Sequence, residues 1–271
     1  MHKKLTIYSS KYVQVIGGVP VDGQAVQWRV DASGDWVLDF TKVTEWHRPE
    51  TEPTPPVFEL VSKLYAADEA IYRDNILSFA TTIASLRGSS GNRTETFSDW
   101  KAFVGDVSEF LDVLQGINSK GTSTTLTQRI QPNLAGDYKF KFKFSKRITP
   151  RNVGLPRFRL TNENKLEPHP ERHPIHVIAS LVLVRFLNRN LTLHPTTLTI
   201  ELEKGGKPVL TQTPSHSLEG MVWIELAAEM TRKHPSIEKC AECNGHITRQ
   251  RSTKIFCSDR CRLKAHRNHS P

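Results

Sequence analysis

The chemistry most legible in this 271-residue chain belongs to its four cysteines, all near the C-terminal end. Cys240 and Cys243 form a C-x2-C pair, Cys257 and Cys261 a C-x3-C pair, and 13 residues, 244–256, separate them. Thiols paired in this way are the ligand set of a tetrahedral structural zinc site. A C-x2-C turn, a knuckle, lets two thiolates face one ion. Cys257 and Cys261 are i and i+4, so a helix places them on one face. Ser258 or Asp259 is positioned to cap that helix, and the positive end of its dipole favours thiolate. Two disulfides, or four unconnected thiols, is the competing reading; the spacing favours the metal. Four thiolates close the coordination shell, so the zinc is expected to be structural, with its binding part of folding.

Charge concentrates around the same residues. From Arg232 onward there are ten Lys and Arg against three acids, a net +7 within a chain total of +9. Such a basic module on a near-neutral body is the electrostatic footprint of a polyanion binder. Arg260, Arg262, Lys264 and Arg267 fall on the expected terminal helix; Arg249, Arg251 and Lys254 fall on the connecting loop or hairpin. These seven are the candidate phosphate contacts, on the expectation that the helix enters a major groove.

Knuckle, connecting hairpin, then Phe256-Cys257-Ser258-Asp259-Arg260-Cys261 opening a basic helix resembles the small treble-clef zinc fingers of bacteria. One such group is the CGNR-type finger of bacterial transcription regulators; another is the small zinc protein that inhibits DNA gyrase. The resemblance covers about residues 237–268. After Cys261 this chain has Arg262-Leu263-Lys264 where the first group has Gly-Asn-Arg, and it differs from the second in its long N-terminal body. The first resemblance implies a bacterial DNA-binding transcription regulator. The second implies a basic finger that docks on an acidic protein.

Other candidate sites carry less. His169, His173 and His176 cluster around Pro170 and Pro174, but prolines break the helix that would align them, and we read a surface turn. Gly88-Ser89-Ser90-Gly91-Asn92-Arg93 lacks the Gly-Lys-Ser/Thr ending of a phosphate loop and reads as a linker. No nucleophile elbow, HExxH or dinucleotide fingerprint is present, so the expectation is not an enzyme. An enzyme with a dispersed site in the body is the remaining alternative.

The elements that must carry the cysteine module read as α+β, a mixed helical and antiparallel-strand body. Val26, Trp28 and Val30, then Trp36, Leu38 and Phe40, predict a hairpin turning at residues 31–35. Thr51-Glu52-Pro53-Thr54-Pro55-Pro56 reads as a rigid connector. Residues 57–116 read as helices. The clearest carries Trp100, Phe103, Val104, Val107, Phe110, Leu111 and Leu114 on one face, with Gly116 ending it. Phe140, Phe142 and Phe144 alternate with Lys139, Lys141 and Lys143, as in a sheet with aromatic core and basic exterior; a basic, aromatic nucleic-acid platform is the competing reading. Residues 174–191 predict a buried helix, and 197–202 with 208–210 a second hairpin. A last helix from about Leu218 to Lys233 should be capped by Ser217 or Ser215. Glu225 and Glu229 mark its solvated face, and it ties the finger to the body. The expected partition is a body, 1–235, split near 51–56, and a zinc finger, 236–271. The chain opens Met1-His2-Lys3-Lys4-Leu5-Thr6-Ile7 without the apolar run of a signal peptide, and no segment is long and apolar enough to span a bilayer. With cysteines used for metal, a cytoplasmic protein with no membrane association is expected. Its expected partners are nucleic acid, duplex DNA in particular, or an acidic protein.

Overall fold

The computed structural model describes residues 19–20, 26–43, 46–47, 56–83, 86, 94–119, 123–132, 138–145, 174–194, 197–202, 208–213, 217–231, 237–243, 245–248 and 255–268. They are mixed helix and small antiparallel sheets. Two compact units interleave along the chain: one takes Met1–Thr54, Glu69–Phe97 and Asn190–Ile224, the other Pro55–Asp68, Ser98–Arg189 and Glu225–Pro271. No described helix is long and apolar enough to cross a membrane. The Thr51–Pro55 connector, the 87–93 linker, His169 and His173 lie outside the described residues.

The first unit is built on the expected hairpin. β2 (Gln27–Val30) pairs antiparallel with β3 (Trp36–Asp39) in the register Trp28 opposite Leu38; β1 (Val19–Pro20) pairs separately with β4 (Trp46–His47). Asp31 organises the turn. Its carboxylate accepts from the Ser33 amide at 2.9 Å and the Asp35 amide at 3.1 Å, and Gly34 takes the positive φ, +88°, that the reversal needs. The hydrogen bond from the Ser33 side chain holds the Asp31 carboxyl below its ordinary value, with the two amides adding to it. β5 (Thr94–Thr96) completes a three-stranded sheet, placing Glu95 opposite Leu38. β3 is therefore central, which is why both Val37 and Leu38 are buried. α2 (Glu69–Thr82) lies against β1 and β2. The Trp28 indole donates to the Arg73 carbonyl at 2.9 Å, while the Arg73 guanidinium stacks 4.2 Å from the Trp36 ring centroid. The second hairpin is β8 (Thr197–Leu202) with β9 (Pro208–Thr213). The Ser217 hydroxyl caps α6 (Leu218–Thr231), accepting from the Gly220 amide at 3.1 Å.

The second unit centres on α3 (Phe97–Asn118), the long amphipathic helix. Trp100, Phe103, Val104, Val107, Phe110, Leu111 and Leu114 are all buried, as their spacing requires. Asp106 and Glu109 are buried with them, and each has a task. β6 (Ile130–Pro132), which follows α4 (Thr124–Arg129), pairs with β7 (Tyr138–Phe140). From Lys143 onward the chain takes side-chain acceptors in place of a strand partner. The Lys143 amide donates to Glu109 at 3.1 Å, and the Ser145 amide and hydroxyl donate to Asp106 at 2.5 and 2.6 Å. Phe144 stacks on Phe186 of α5 (Pro174–Leu193), centroids 4.1 Å apart. α5 buries Ile178, Ala179, Val182, Leu183, Phe186 and Leu187, but Val177, Leu181 and Val184 on its other face are exposed, so it is not buried all round.

Two further expectations are corrected. Gly116 does not end α3, which runs on to Asn118. A Cβ there would lie 2.9 Å from Leu126 Cγ and 3.1 Å from Ser123 Oγ, so the glycine serves the close approach of α4. Gly116→Ala gains about 1 kcal/mol of helix propensity but overpacks this contact by about 1–3 kcal/mol, so a net loss is expected in the denaturant midpoint. The second correction is the solvated face of α6. Glu229 is 1% exposed, and Glu225 accepts from the Phe58 amide at 3.1 Å. That bond serves the first turn of α1 (Val57–Ser62), whose N-cap is Pro56 with no side-chain cap of its own. Helical spacing marks both glutamates as polar; only the folded structure shows Glu229 enclosed and Glu225 half-buried against the start of α1.

Candidate metal centre and basic helix

A short hairpin positions the first cysteine pair. β10 (Ile237–Lys239) and β11 (His246–Thr248) pair antiparallel, with Ile237 and Ile247 buried. The knuckle sits at the hairpin's tip, closed by the Cys240 amide donating to the Gly245 carbonyl at 2.8 Å. The Ala241 amide reaches Ile255 O at 3.0 Å, which draws the second pair alongside. Ser258 is the cap of α7 (Asp259–Asn268), accepting from the Cys261 amide at 3.3 Å. Cys261 lies in the first turn and Cys257 just before it, so the expected shared face becomes a helix start that gathers both.

The four Sγ atoms lie within 4.8 Å of one another. Cys243 to Cys257 is 3.6 Å and Cys257 to Cys261 is 3.4 Å. A disulfide needs about 2.05 Å, and all four thiols are free. A tetrahedron of sulfurs about 2.3 Å from a central ion has edges of about 3.8 Å, so the donor set fits a tetrahedral metal ion such as zinc. Electrostatics agrees. Burial raises the Cys240 thiol, but amides of Cys243, Glu242 and Cys257 outweigh it and bring it down to about 6. Burial pushes Cys257 up to about 12, with the Cys261 sulfur adding to it, and burial also raises Cys243. Sulfurs so crowded do not all ionise unless a cation sits among them.

The module is fastened to α3 by residues that spacing alone does not single out. Lys239 Nζ lies 2.8 Å and His246 Nε2 3.3 Å from the Asp112 carboxylate. Burial works against the Asp112 anion, but those two neighbours outweigh it and hold its carboxyl well below the usual carboxylate range. Arg129 stands 3.8 Å away on the far side and forms a bidentate pair with Glu109 at 2.6 and 2.7 Å. β11 also lies against α1, whose Lys63 stem is 4.0 Å from where a Gly245 Cβ would be. Asp112→Ala is expected to cost about 1–3 kcal/mol, because it leaves the buried His246 without its carboxylate. Asp112 has a depressed folded pKa, so its contribution is full above the unfolded value of about 4 and is lost as pH falls through the folded value. An acid-melting series of wild type and Asp112→Ala should therefore converge at low pH.

The candidate phosphate contacts divide into three groups. Arg260 and Arg267 are exposed on α7. Arg262 is exposed but pairs with Asp259 at 3.1 Å, and Lys264 reaches Glu242 on the knuckle at 2.8 Å. Lys264 thereby also ties helix to knuckle, and that hydrogen bond raises its pKa. Arg249, Arg251 and Lys254 lie outside the described residues. Cys261 and Ala265 form the inner face of α7, while Leu263 is 53% exposed between the basic residues. No protein-family model, curated protein or solved structure matches the chain.

Proposed function

We propose that the protein is a zinc-dependent nucleic-acid-binding protein, a DNA-binding transcription regulator of bacterial type working in the cytoplasm. In this reading Cys240, Cys243, Cys257 and Cys261 hold one structural Zn²⁺ in a treble-clef finger. Arg260, Arg262, Lys264 and Arg267, with Arg249, Arg251 and Lys254, contact phosphate, and no catalytic step is involved. The observation that carries the reading is the pairing of a closed four-thiol cluster with a terminal helix whose outer face is basic and exposed. The metal would hold knuckle and helix together so that the basic face keeps one orientation; the protein residues supply the anion contacts. Four free thiols and the resemblance to bacterial fingers are what support the compartment and the regulatory role.

A second reading has support from Ile255 and Leu263, 45% and 53% exposed on the same module. Apolar side chains among arginines suit an acidic protein surface as well as they suit DNA. Fluorescence anisotropy of the zinc-loaded full-length chain with duplex DNA, single-stranded DNA and RNA, across a salt series, decides between them. Tight binding with a steep salt slope that flattens when Arg262, Lys264 and Arg267 become alanine supports the regulator. No binding to any of the three at low salt removes that reading in favour of a protein partner.

A further inference from the structure

Residues 138–145 present a second basic feature in the unit that contains the cysteine module. Exposure alternates along them. Lys139, Lys141, Lys143 and Ser145 are exposed, while Phe140 and Phe142 are half-buried and Phe144 is buried. The rings run along one side, with centroids 5.5 Å apart from Phe140 to Phe142 and 5.9 Å from Phe142 to Phe144. The three lysines therefore leave the opposite side at every second residue, a repeat of about 6.6 Å in extended chain.

The backbone beneath them is held in place. The Lys141 amide donates to the Arg129 carbonyl at 2.8 Å and the Lys143 amide to Glu109 at 3.1 Å. The Ser145 amide bonds to Asp106, and Phe144 is clamped on Phe186. Arg129 and Glu109 are themselves a buried bidentate pair. The row of amino groups thus rises from a fixed base.

Among the described residues its charge has no carboxylate partner. The chain gives carboxylate partners to Arg29, Lys63, Arg73, Arg129, Lys239, Arg262 and Lys264. Among the described residues no carboxylate lies within ion-pair distance of Lys139, Lys141 or Lys143. Three like charges so close repel one another, by roughly 0.6 kcal/mol per neighbouring pair in water. Protecting a strand edge would account for a lysine on β7, but Lys141 and Lys143 lie beyond that strand.

We propose that Lys139, Lys141 and Lys143 form a second contact for a nucleic-acid backbone, separate from the basic face of α7. A linear row of cations at a regular step suits a linear polyanion with a regular step, whereas the carboxylates of a folded acidic protein have no such repeat. The inference rests on the nucleic-acid reading above and adds a second anchoring element to it, one that carries no base specificity.

The test uses the full-length zinc-loaded chain and a fluorescent DNA, single-stranded and duplex, over a salt series. Lys139→Gln/Lys141→Gln/Lys143→Gln is compared with Arg260→Gln/Arg267→Gln, both checked for an unchanged melting temperature. The expected result is that the lysine variant lowers the slope of log K against log salt by about 2–3, one phosphate per lysine. Acetylation of the three lysines by a water-soluble ester, read by mass spectrometry, should also fall when DNA is bound. If wild type binds and the arginine variant weakens it, while the lysine variant keeps the full slope and its sites react equally with and without DNA, the inference falls and the nucleic-acid reading stands. If wild type binds no nucleic acid, both fall. Protection of the lysines by polyglutamate but not by DNA would identify an acidic polypeptide as the partner and overturn the inference.

Discussion

Replacing Cys240 by serine should abolish stoichiometric metal binding and unfold more than the cysteine module. Cys240 is fully buried, receives the Cys257 amide at 3.3 Å, and stands at the tip of the hairpin that reaches Asp112. Structural zinc sites in finger peptides contribute on the order of 10–16 kcal/mol of apparent binding free energy at neutral pH. The described residues of the cysteine module form two three-residue strands and one ten-residue helix, elements too short to be stable by themselves. Without the metal, β10 and β11 lose their tip, and Lys239 and His246 leave Asp112. The expected outcome has two parts. Elemental analysis finds one zinc per wild-type chain and none in Cys240→Ser. Hydrogen exchange then rises in the cysteine module and also around Asp112 of α3. Full metal occupancy in the serine variant would contradict the four-thiol site. Faster exchange confined to 237–268 would show that the contacts to Asp112 do not couple the two.

The other large effect is expected at the Arg129–Glu109 pair. Glu109 is 3% exposed, and its two oxygens take the Arg129 guanidinium at 2.6 and 2.7 Å. The pair holds the Arg129 pKa above its ordinary value, the hydrogen bond to Glu109 outweighing the burial that opposes it. Removing one partner of such a pair leaves an unpaired charge out of water, which costs about 3–5 kcal/mol. Arg129→Met should therefore lower the melting temperature by roughly 6–20 °C. Arg129→Met with Glu109→Leu should recover part of that loss, because no orphan charge remains. Recovery will be incomplete, since the Lys143 amide also uses Glu109. A double variant no more stable than the single one would show that the amide contact, not the ion pair, is what Glu109 provides.

Much of the local architecture is legible in residue order. The Asp31–Gly34 turn, the apolar face of α3, the Ser217 and Ser258 caps and the cysteine spacing are all short-range signals, settled by φ preference, helical period or ligand geometry. Each reappears in the structure where its pattern places it. The alternation at 138–145 is legible too, with phenylalanines inward and lysines outward.

What residue order leaves open involves partners far apart in the chain. β5 pairs with β3 across nearly sixty residues, and its three polar residues, Thr94-Glu95-Thr96, carry no apolar alternation of their own. Glu225 and Glu229 look like a wet helix face because helical period records polarity, not surroundings; one reaches the Phe58 amide and the other is enclosed. Gly116 looks like a stop because glycine commonly ends helices, and only the nearness of Leu126 shows its use in packing. Asp112 has no motif at all. Its role comes from standing opposite Lys239 and His246, more than a hundred residues away. Residue order is enough to pick out the candidate ligands, because metal chemistry depends on residue type and short spacing. What the cysteine hairpin is fastened to emerges from the folded chain alone, because long-range charge pairing has no period to betray it.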